Sequence, residues 1–243
     1  MKAIVLAAGF GTRLRPLTNN TPKPLLPVGD RPLIQYNLQL LKKYGITEVA
    51  INLHYHGEKI REALGDGRQL GMQILYSEEP EILGTGGGMK KAARFLSDGT
   101  FLAINGDILV DINLDKVVEF HRLKKAAATM VLREDPQVDT YGAIELDSED
   151  RIRRFLGRPV WQGKKLSPYM FTGIHVLEPR ILEYIPSHGF SPITDAYVAM
   201  LKKNEGLFGY LMKGYWRDLG TPESYQQAKT EIKEGTVRLS YAP

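Results

Sequence analysis

Met1-Lys2-Ala3-Ile4-Val5-Leu6-Ala7-Ala8-Gly9-Phe10-Gly11-Thr12-Arg13-Leu14-Arg15-Pro16-Leu17-Thr18 opens the chain and runs on to Pro22-Lys23-Pro24. Its apolar run from Ala3 to Ala8 predicts a strand buried on both faces, as in a parallel sheet. The run breaks at Gly9-Phe10-Gly11, where glycine lets the backbone take positive φ and expose its N–H groups. Thr12, Arg13 and Lys23 add donors and two fixed cations. Convergent N–H groups with positive charge suit a polyphosphate. From Gly9 and Gly11 alone, a tight turn with two surface cations reads equally well.

Working outward, strand-like and helix-like runs alternate. Strands are expected over 2–6, 48–53, 72–76 and 100–105, the last ending towards Asp107. Helices are expected over 32–44, with Pro32 at the start and Gly45 as stop, and over 58–64, 86–95 and 113–124, with Asn113 as N-cap. This alternation implies a mostly parallel sheet with helices on both faces. From Ala128 the pattern changes to closely spaced strands, 128–133, 142–146, 151–155 and 170–177, expected in a mixed sheet. Asp147-Ser148-Glu149-Asp150 reads as a hairpin turn. Helices over 179–185 and 192–203, a strand over 207–212 and a helix over 222–233 complete the reading. Without repeats or a linker, one domain over 1–235 is expected, with a C-terminal tail over 236–243 whose end, residues 239–243, is expected to be loosely held.

The chain has 243 residues, 43% hydrophobic and 25% charged, enough for a substantial core and against disorder. The formal net charge of +4 fits a protein that handles anions. No Lys/Arg block points to nucleic acid. Arg151-Ile152-Arg153-Arg154 alternates with apolar residues and reads as a solvated strand face. There is no cysteine, which excludes disulfides and thiolate chemistry. The N-terminus does not read as a signal peptide, and no apolar run approaches the ~20 residues of a membrane span. A cytoplasmic protein is expected.

In open α/β sheets, ligands bind at the carboxyl ends of the strands. Three stretches fall there: the loop from Gly9 to Arg13, Asn105-Gly106-Asp107, and Leu83-Gly84-Thr85-Gly86-Gly87-Gly88. They are expected to form one pocket. Asp107 ends a buried strand through Gly106. Asp218 lies in Trp216-Arg217-Asp218-Leu219-Gly220-Thr221, where Thr221 is the better helix cap. Two carboxylates at strand ends suit one Mg²⁺, which takes a few carboxylate oxygens plus phosphate and water oxygens. His54 and His56 follow a strand end and read as partly exposed structural histidines.

L-A-A-G-x-G-T-R-L-x-P-x-T followed by P-K-P-L-x-P, across Leu6 to Pro27, resembles the signature of the sugar-1-phosphate nucleotidylyltransferases. N-G-D at Asn105 and W-x-D-x-G-T at Trp216 continue the resemblance, which covers Met1 to about Ala228. It implies a three-layer αβα, Rossmann-like α/β fold and a transfer that turns an NTP and a sugar 1-phosphate into an NDP-sugar and pyrophosphate. It also implies that the triphosphate lies over Leu6, Ala8, Gly9, Gly11 and Thr12. Arg13 and Lys23 would draw charge from the β- and γ-phosphates, and Asp107 and Asp218 would hold Mg²⁺ on the α-phosphate. The sugar-1-phosphate oxygen then attacks in line. Such chemistry needs positioning and neutralised charge rather than a general base. Gly84, Thr85 and Gly86 resemble the loop that lies along the nucleobase, where glycines would let the base approach the backbone.

The sugar side departs from the pattern. Where many members carry F-x-E-K-P, this chain has Phe155-Leu156-Gly157-Arg158-Pro159: the Glu that reads sugar hydroxyls is absent, and Arg158 stands where Lys meets the sugar phosphate. Phe171-Thr172-Gly173-Ile174 replaces N-x-G-I. Tyr141-Gly142 keeps the Y-G placed near the sugar, and the resemblance also implies sugar-phosphate contacts from Asn105, Thr172 and Gly173. No C-terminal β-helix is expected, which resembles short members such as mannose-1-phosphate guanylyltransferases and N-acetylmuramate-1-phosphate uridylyltransferases. Glu79 is a candidate acceptor for guanine N–H groups, so the reading leans to GTP with a mannose-1-phosphate-type sugar. A UTP-dependent uridylyltransferase, a phosphocholine-type acceptor and a silent nucleotide-binding regulatory subunit are the rivals. The oligomeric state is open.

Overall fold

The structure is a computed structural model; it describes residues 1–136, 138 and 142–242. In chain order the elements begin β1 (Lys2–Leu6), β2 (Pro27–Val28), β3 (Arg31–Pro32), α1 (Leu33–Lys43), β4 (Glu48–Leu53), α2 (Gly57–Leu64) and β5 (Gln73–Glu78). They continue through α3 (Gly84–Lys91), α4 (Ala93–Leu96), β6 (Phe101–Asn105), β7 (Ile108–Val110), α5 (Leu114–Leu123) and β8 (Ala128–Arg133). The rest are β9 (Ile144–Leu146), β10 (Ile152–Phe155), β11 (Ser167–Leu177), α6 (Ile193–Lys202), β12 (Leu207–Leu211), β13 (Trp216–Asp218) and α7 (Pro222–Glu234). The α/β class and the mixed sheet stand as expected. The chain divides into two compact units: Met1–Ile82 with Ile104–Ile112 and Gly214–Pro243, and Leu83–Ala103 with Asn113–Lys213.

The first unit is built on a parallel ladder in which β4 lies between β1 and β5. Ala3, Ile4 and Val5 are fully buried, as are Val49, Ala50 and Ile51, which is why these stretches read as unbroken apolar runs. Helix α1 buries Leu33, Ile34, Leu38 and Leu41, the one-face spacing of an amphipathic helix. Gly45 ends it at φ 71°. A second packing group joins Leu14, Leu26, Leu33, Tyr36, Leu109, Leu219, Tyr225 and Leu239. Within it, β7 pairs antiparallel with β13, with Ile108 opposite Asp218. This hairpin-like pairing of two three-residue strands was not expected from the sequence.

The tail corrects the expectation of loose attachment. Leu239 is buried, Ser240 donates its N–H and hydroxyl to the Asp111 carboxylate, and the Tyr241 hydroxyl donates to Val110 O at 2.7 Å. An apolar side chain and two satisfied polar groups hold these residues against β7.

In the second unit, β8 is flanked by β11, antiparallel, and β12, parallel, while β9 bridges β11 and β10 in antiparallel pairs. The turn between β9 and β10 closes with Asp147 N–H donating to Arg151 O at 3.0 Å. Arg153 and Arg154 are paired with Asp147 and Glu145, so this strand face carries ion pairs rather than merely solvated charge. Asn113 caps α5 as expected, accepting from Lys116 N–H at 3.1 Å. Two helices differ from expectation. The stretch over 179–185 is a 3-10 turn, Pro179–Tyr184, and the helix expected over 86–95 starts at Gly84 and breaks at Ala92.

Candidate functional site

The charged residues singled out in the sequence meet in the first unit. Strand β1 ends at Leu6, whose carbonyl accepts the Gly106 N–H at 2.9 Å, bringing the chain after β6 to the start of the glycine loop. Asp107 directly precedes β7, and Asp218 ends β13. Their pairing places the two carboxylates side by side, and Leu219 N–H donates to Asp107 O at 3.0 Å. The Ser224 hydroxyl donates to the Asp218 carbonyl, and Thr221 caps α7 just beyond. Two acids 111 positions apart in sequence are thus set by one short ladder.

Lys23 completes the group. Its ammonium lies 2.6 Å from Asp107 Oδ2 and 3.6 Å from Asp218 Oδ1, on a side chain only 9% exposed. Asp218 Oδ1 is buried without a hydrogen-bond partner. Burial, then repulsion from Asp107, hold the Asp218 carboxyl above the usual carboxylate range; Lys23, Arg13 and the Gly220 N–H pull the other way. Gly220 explains its own place in the motif, because a Cβ there would stand 2.6 Å from Arg13 Nη2 and 3.0 Å from Asp218 Oδ1. Arg13 itself is exposed.

The loop is shaped to present donors. Gly11 takes the left-handed conformation at φ 62°, and its carbonyl accepts from the buried Thr18 hydroxyl at 2.8 Å. Among the described residues, the N–H groups of residues 9–13 donate to no protein acceptor. Ala8 is buried and Thr12 exposed. The Asn52 side chain, which the sequence reading passed over, ties this loop to β4. Its Oδ1 accepts the Ala7 N–H at 2.7 Å, and its Nδ2 donates to Glu79 Oε1 at 2.8 Å. The signal was a polar residue closing an otherwise apolar strand. Glu79 is 3% exposed, so it is a buried, bonded carboxylate and not a solvated loop acid. His54 bonds the Glu79 carbonyl and His56 the Asn19 carbonyl, structural roles as read.

Two carboxylates with an orphaned buried oxygen fit a hard divalent cation. Among the described residues no third His, Asp or Glu joins them, so phosphate and water oxygens would complete the shell.

The second unit holds the remaining candidates. Gly86 and Gly87 N–H groups both donate to Ser191 O, at 2.9 and 3.0 Å, and the Thr85 hydroxyl accepts from Ile193 N–H at 3.1 Å. A Cβ on Gly84 or Gly86 would stand 2.9 Å from Ser191 O. The glycines here admit the protein's own backbone, a reason different from the close approach of a base. Arg158 is exposed and 3.4 Å from Asp195. The Thr172 hydroxyl donates to Val131 O at 2.7 Å, committing it to the sheet. Thr172 and Gly173 lie where the β11–β8 register shifts. Asn105, in the first unit, is half-buried, and Gly142 stands at φ 92°. Tyr141 lies outside the described residues. No helix among the described residues is long and apolar enough to cross a membrane.

A family described as Nucleotidyl transferase matches residues 2–235. A UTP–glucose-1-phosphate uridylyltransferase of Synechocystis is 35% identical over 94% of this chain and 62% of its own length. A mannose-1-phosphate guanylyltransferase of Mycobacterium tuberculosis is 33% identical over 96% of this chain and 65% of its own. The chain therefore spans less than two thirds of these curated relatives. A Bacillus anthracis structure described as a glucose-1-phosphate thymidylyltransferase, in complex with sucrose, superposes with a TM-score of 0.84 at 27% identity, covering 99% of this chain and 97% of that one.

Proposed function

The chain belongs to the nucleotidyl transferase family, and from that membership we propose that it is a sugar-1-phosphate nucleotidylyltransferase. The observation that carries the reading is the convergence of Lys23, Asp107 and Asp218 beside a loop whose N–H groups are unused. The loop donors and Arg13 bind the triphosphate and spread the charge of the leaving pyrophosphate. Lys23, buried and positioned, neutralises the β- and γ-phosphates. A Mg²⁺ held by Asp107 and Asp218 would supply charge neutralisation at the α-phosphate. Arg158 is assigned to the sugar phosphate.

For the base we propose guanine, with a mannose-1-phosphate-type sugar. The support is the buried Glu79 carboxylate, an acceptor-only group when ionised. Guanine presents adjacent N1–H and amine donors to it. A UTP-dependent reading is favoured by one observation: Asn52 already occupies Glu79 Oε1, leaving less acceptor capacity, and uracil offers a single N3–H.

Pyrophosphate release tests the proposal, with four NTPs against glucose-, mannose-, N-acetylglucosamine-, N-acetylmuramate- and heptose-1-phosphates. Turnover with at least one pair is expected, falling by about 10³-fold or more in Asp107→Ala with the fold retained. Nucleotide binding without turnover on any sugar phosphate would replace the enzyme with a silent binding protein.

A further inference from the structure

The Lys23 ammonium occupies the oxygens that a cation would use. It contacts Asp107 Oδ2 at 2.6 Å and faces Asp218 Oδ1, the orphaned oxygen, at 3.6 Å. The side chain is almost wholly buried, so this charge is held in place by the fold rather than swinging in solvent. Mg²⁺ binds oxygen at about 2.0–2.1 Å and demands near-octahedral geometry. A second cation on the same two carboxylates would then sit within about 4 Å of the ammonium. At that separation the ammonium and a divalent cation repel strongly, and more so than two single charges would, before any desolvation is counted.

We infer that Lys23 is a built-in competitor for the divalent cation, holding the two carboxylates until a triphosphate draws the ammonium away. The inference rests on the activity proposed above but adds an order of events. Cation and nucleotide enter together, and free cation binds the nucleotide-free protein weakly. A lysine assigned to phosphate binding thereby acquires a second role, as the counter-ion that keeps two neighbouring acids compatible with folding. Removing it should weaken nucleotide binding and tighten metal binding, effects of opposite sign at one residue.

Mn²⁺ titration of the nucleotide-free full chain, followed by the electron paramagnetic resonance of free Mn²⁺, tests this. Lys23→Met and Lys23→Gln are expected to lower the Mn²⁺ Kd about tenfold or more relative to wild type. Arg13→Gln is the charge control. Arg13 is exposed and acts on Asp218 through its field, so its removal is expected to change Kd by about threefold or less. The glutamine variant keeps a polar group, so the comparison survives if the methionine variant misfolds. Lys23 variants whose Kd matches wild type, or matches Arg13→Gln, overturn the competition. Mn²⁺ binding to the protein in the presence of each of the four NTPs in turn, lost in Asp107→Ala, reads the metal site separately. If that signal is present while the Lys23 variants do not tighten, the competition alone fails. If it is absent, the proposed activity fails and the competition with it.

Discussion

Lys23, Asp107 and Asp218 in the first unit form a half-buried polar cluster, His175 and Tyr197 in the second a wholly buried one, and they are built on opposite terms. The Tyr197 hydroxyl and His175 Nδ1 share a 2.6 Å hydrogen bond, and both residues are wholly enclosed. Burial drives the His175 pKa down to about 3 and the Tyr197 pKa up, so the pair is neutral. In the first cluster, burial and repulsion from Asp107 oppose the charge of Asp218, one of whose carboxylate oxygens is left unbonded. A polar pair kept for packing settles into neutral, satisfied bonds. A site kept for handling charge stays frustrated until its ligand arrives.

The sharpest break in this comparison is Asp218→Asn. The amide keeps the shape and removes the repelled charge. Turnover is expected to fall about 10³-fold, as for loss of a group that stabilises charge in the transition state. The melting temperature is expected to rise by about 2–4 °C, the shift that ~1 kcal/mol gives a chain of this size. Calorimetry beside the pyrophosphate assay reads both. A melting temperature that falls would mean that Lys23 stabilises the ionised Asp218 more than burial and Asp107 oppose it.

A second contrast lies in the glycines. Gly9, in the loop of the first unit, has nothing within 4 Å of where a Cβ would stand. Gly86, in α3, would drive a Cβ to 2.9 Å from Ser191 O and 3.2 Å from Ile193 N. Ala in a helix gains up to ~1 kcal/mol over Gly, but backbone atoms on both sides of this contact must part. Overpacking of this kind costs about 1–3 kcal/mol, so Gly86→Ala is expected to lower stability on balance. Thermal melts of Gly86→Ala against Gly9→Ala check it; equal melting temperatures would mean that the segment carrying Ser191 yields freely.

The same contrast explains what the sequence could and could not disclose. The apolar runs of β1 and β4 announced themselves because both faces of each are covered. The charged residues were legible by type and motif. Their meeting was expected from their places at strand ends and from the family resemblance; the ladder that brings it about was not, because β7 and β13 are three residues each, too short for periodicity, and lie about a hundred residues apart in sequence. Glu79 beside Glu78 and Pro80 looks like loop; only the Asn52 amide, arriving from another strand, makes it a buried acceptor. The glycines of the second unit were visible as glycines, but the carbonyl they make room for, Ser191 O, lies some hundred residues further on.

The smallest expected effect concerns acid. His175 is neutral in the folded chain down to about pH 3, whereas an unfolded histidine takes its proton near 6.5. Above about pH 6.5 both states are neutral and the residue contributes nothing to pH dependence. Between about 6.5 and 3 the unfolded state binds a proton that the folded state refuses, so stability is lost as pH falls through that window. Carboxylates contribute to acid sensitivity as well, but equally in a variant that leaves them untouched. His175→Gln retains a group able to hydrogen-bond the Tyr197 hydroxyl and cannot be protonated. Its melting temperature is expected to sit at a fixed offset from wild type at pH 7–9 and to gain on wild type by a few degrees by about pH 5.5, a slope set by one proton. Parallel curves over the whole range would mean that the buried pair accepts a proton after all, and the division between a neutral cluster and a charged one would lose its second half.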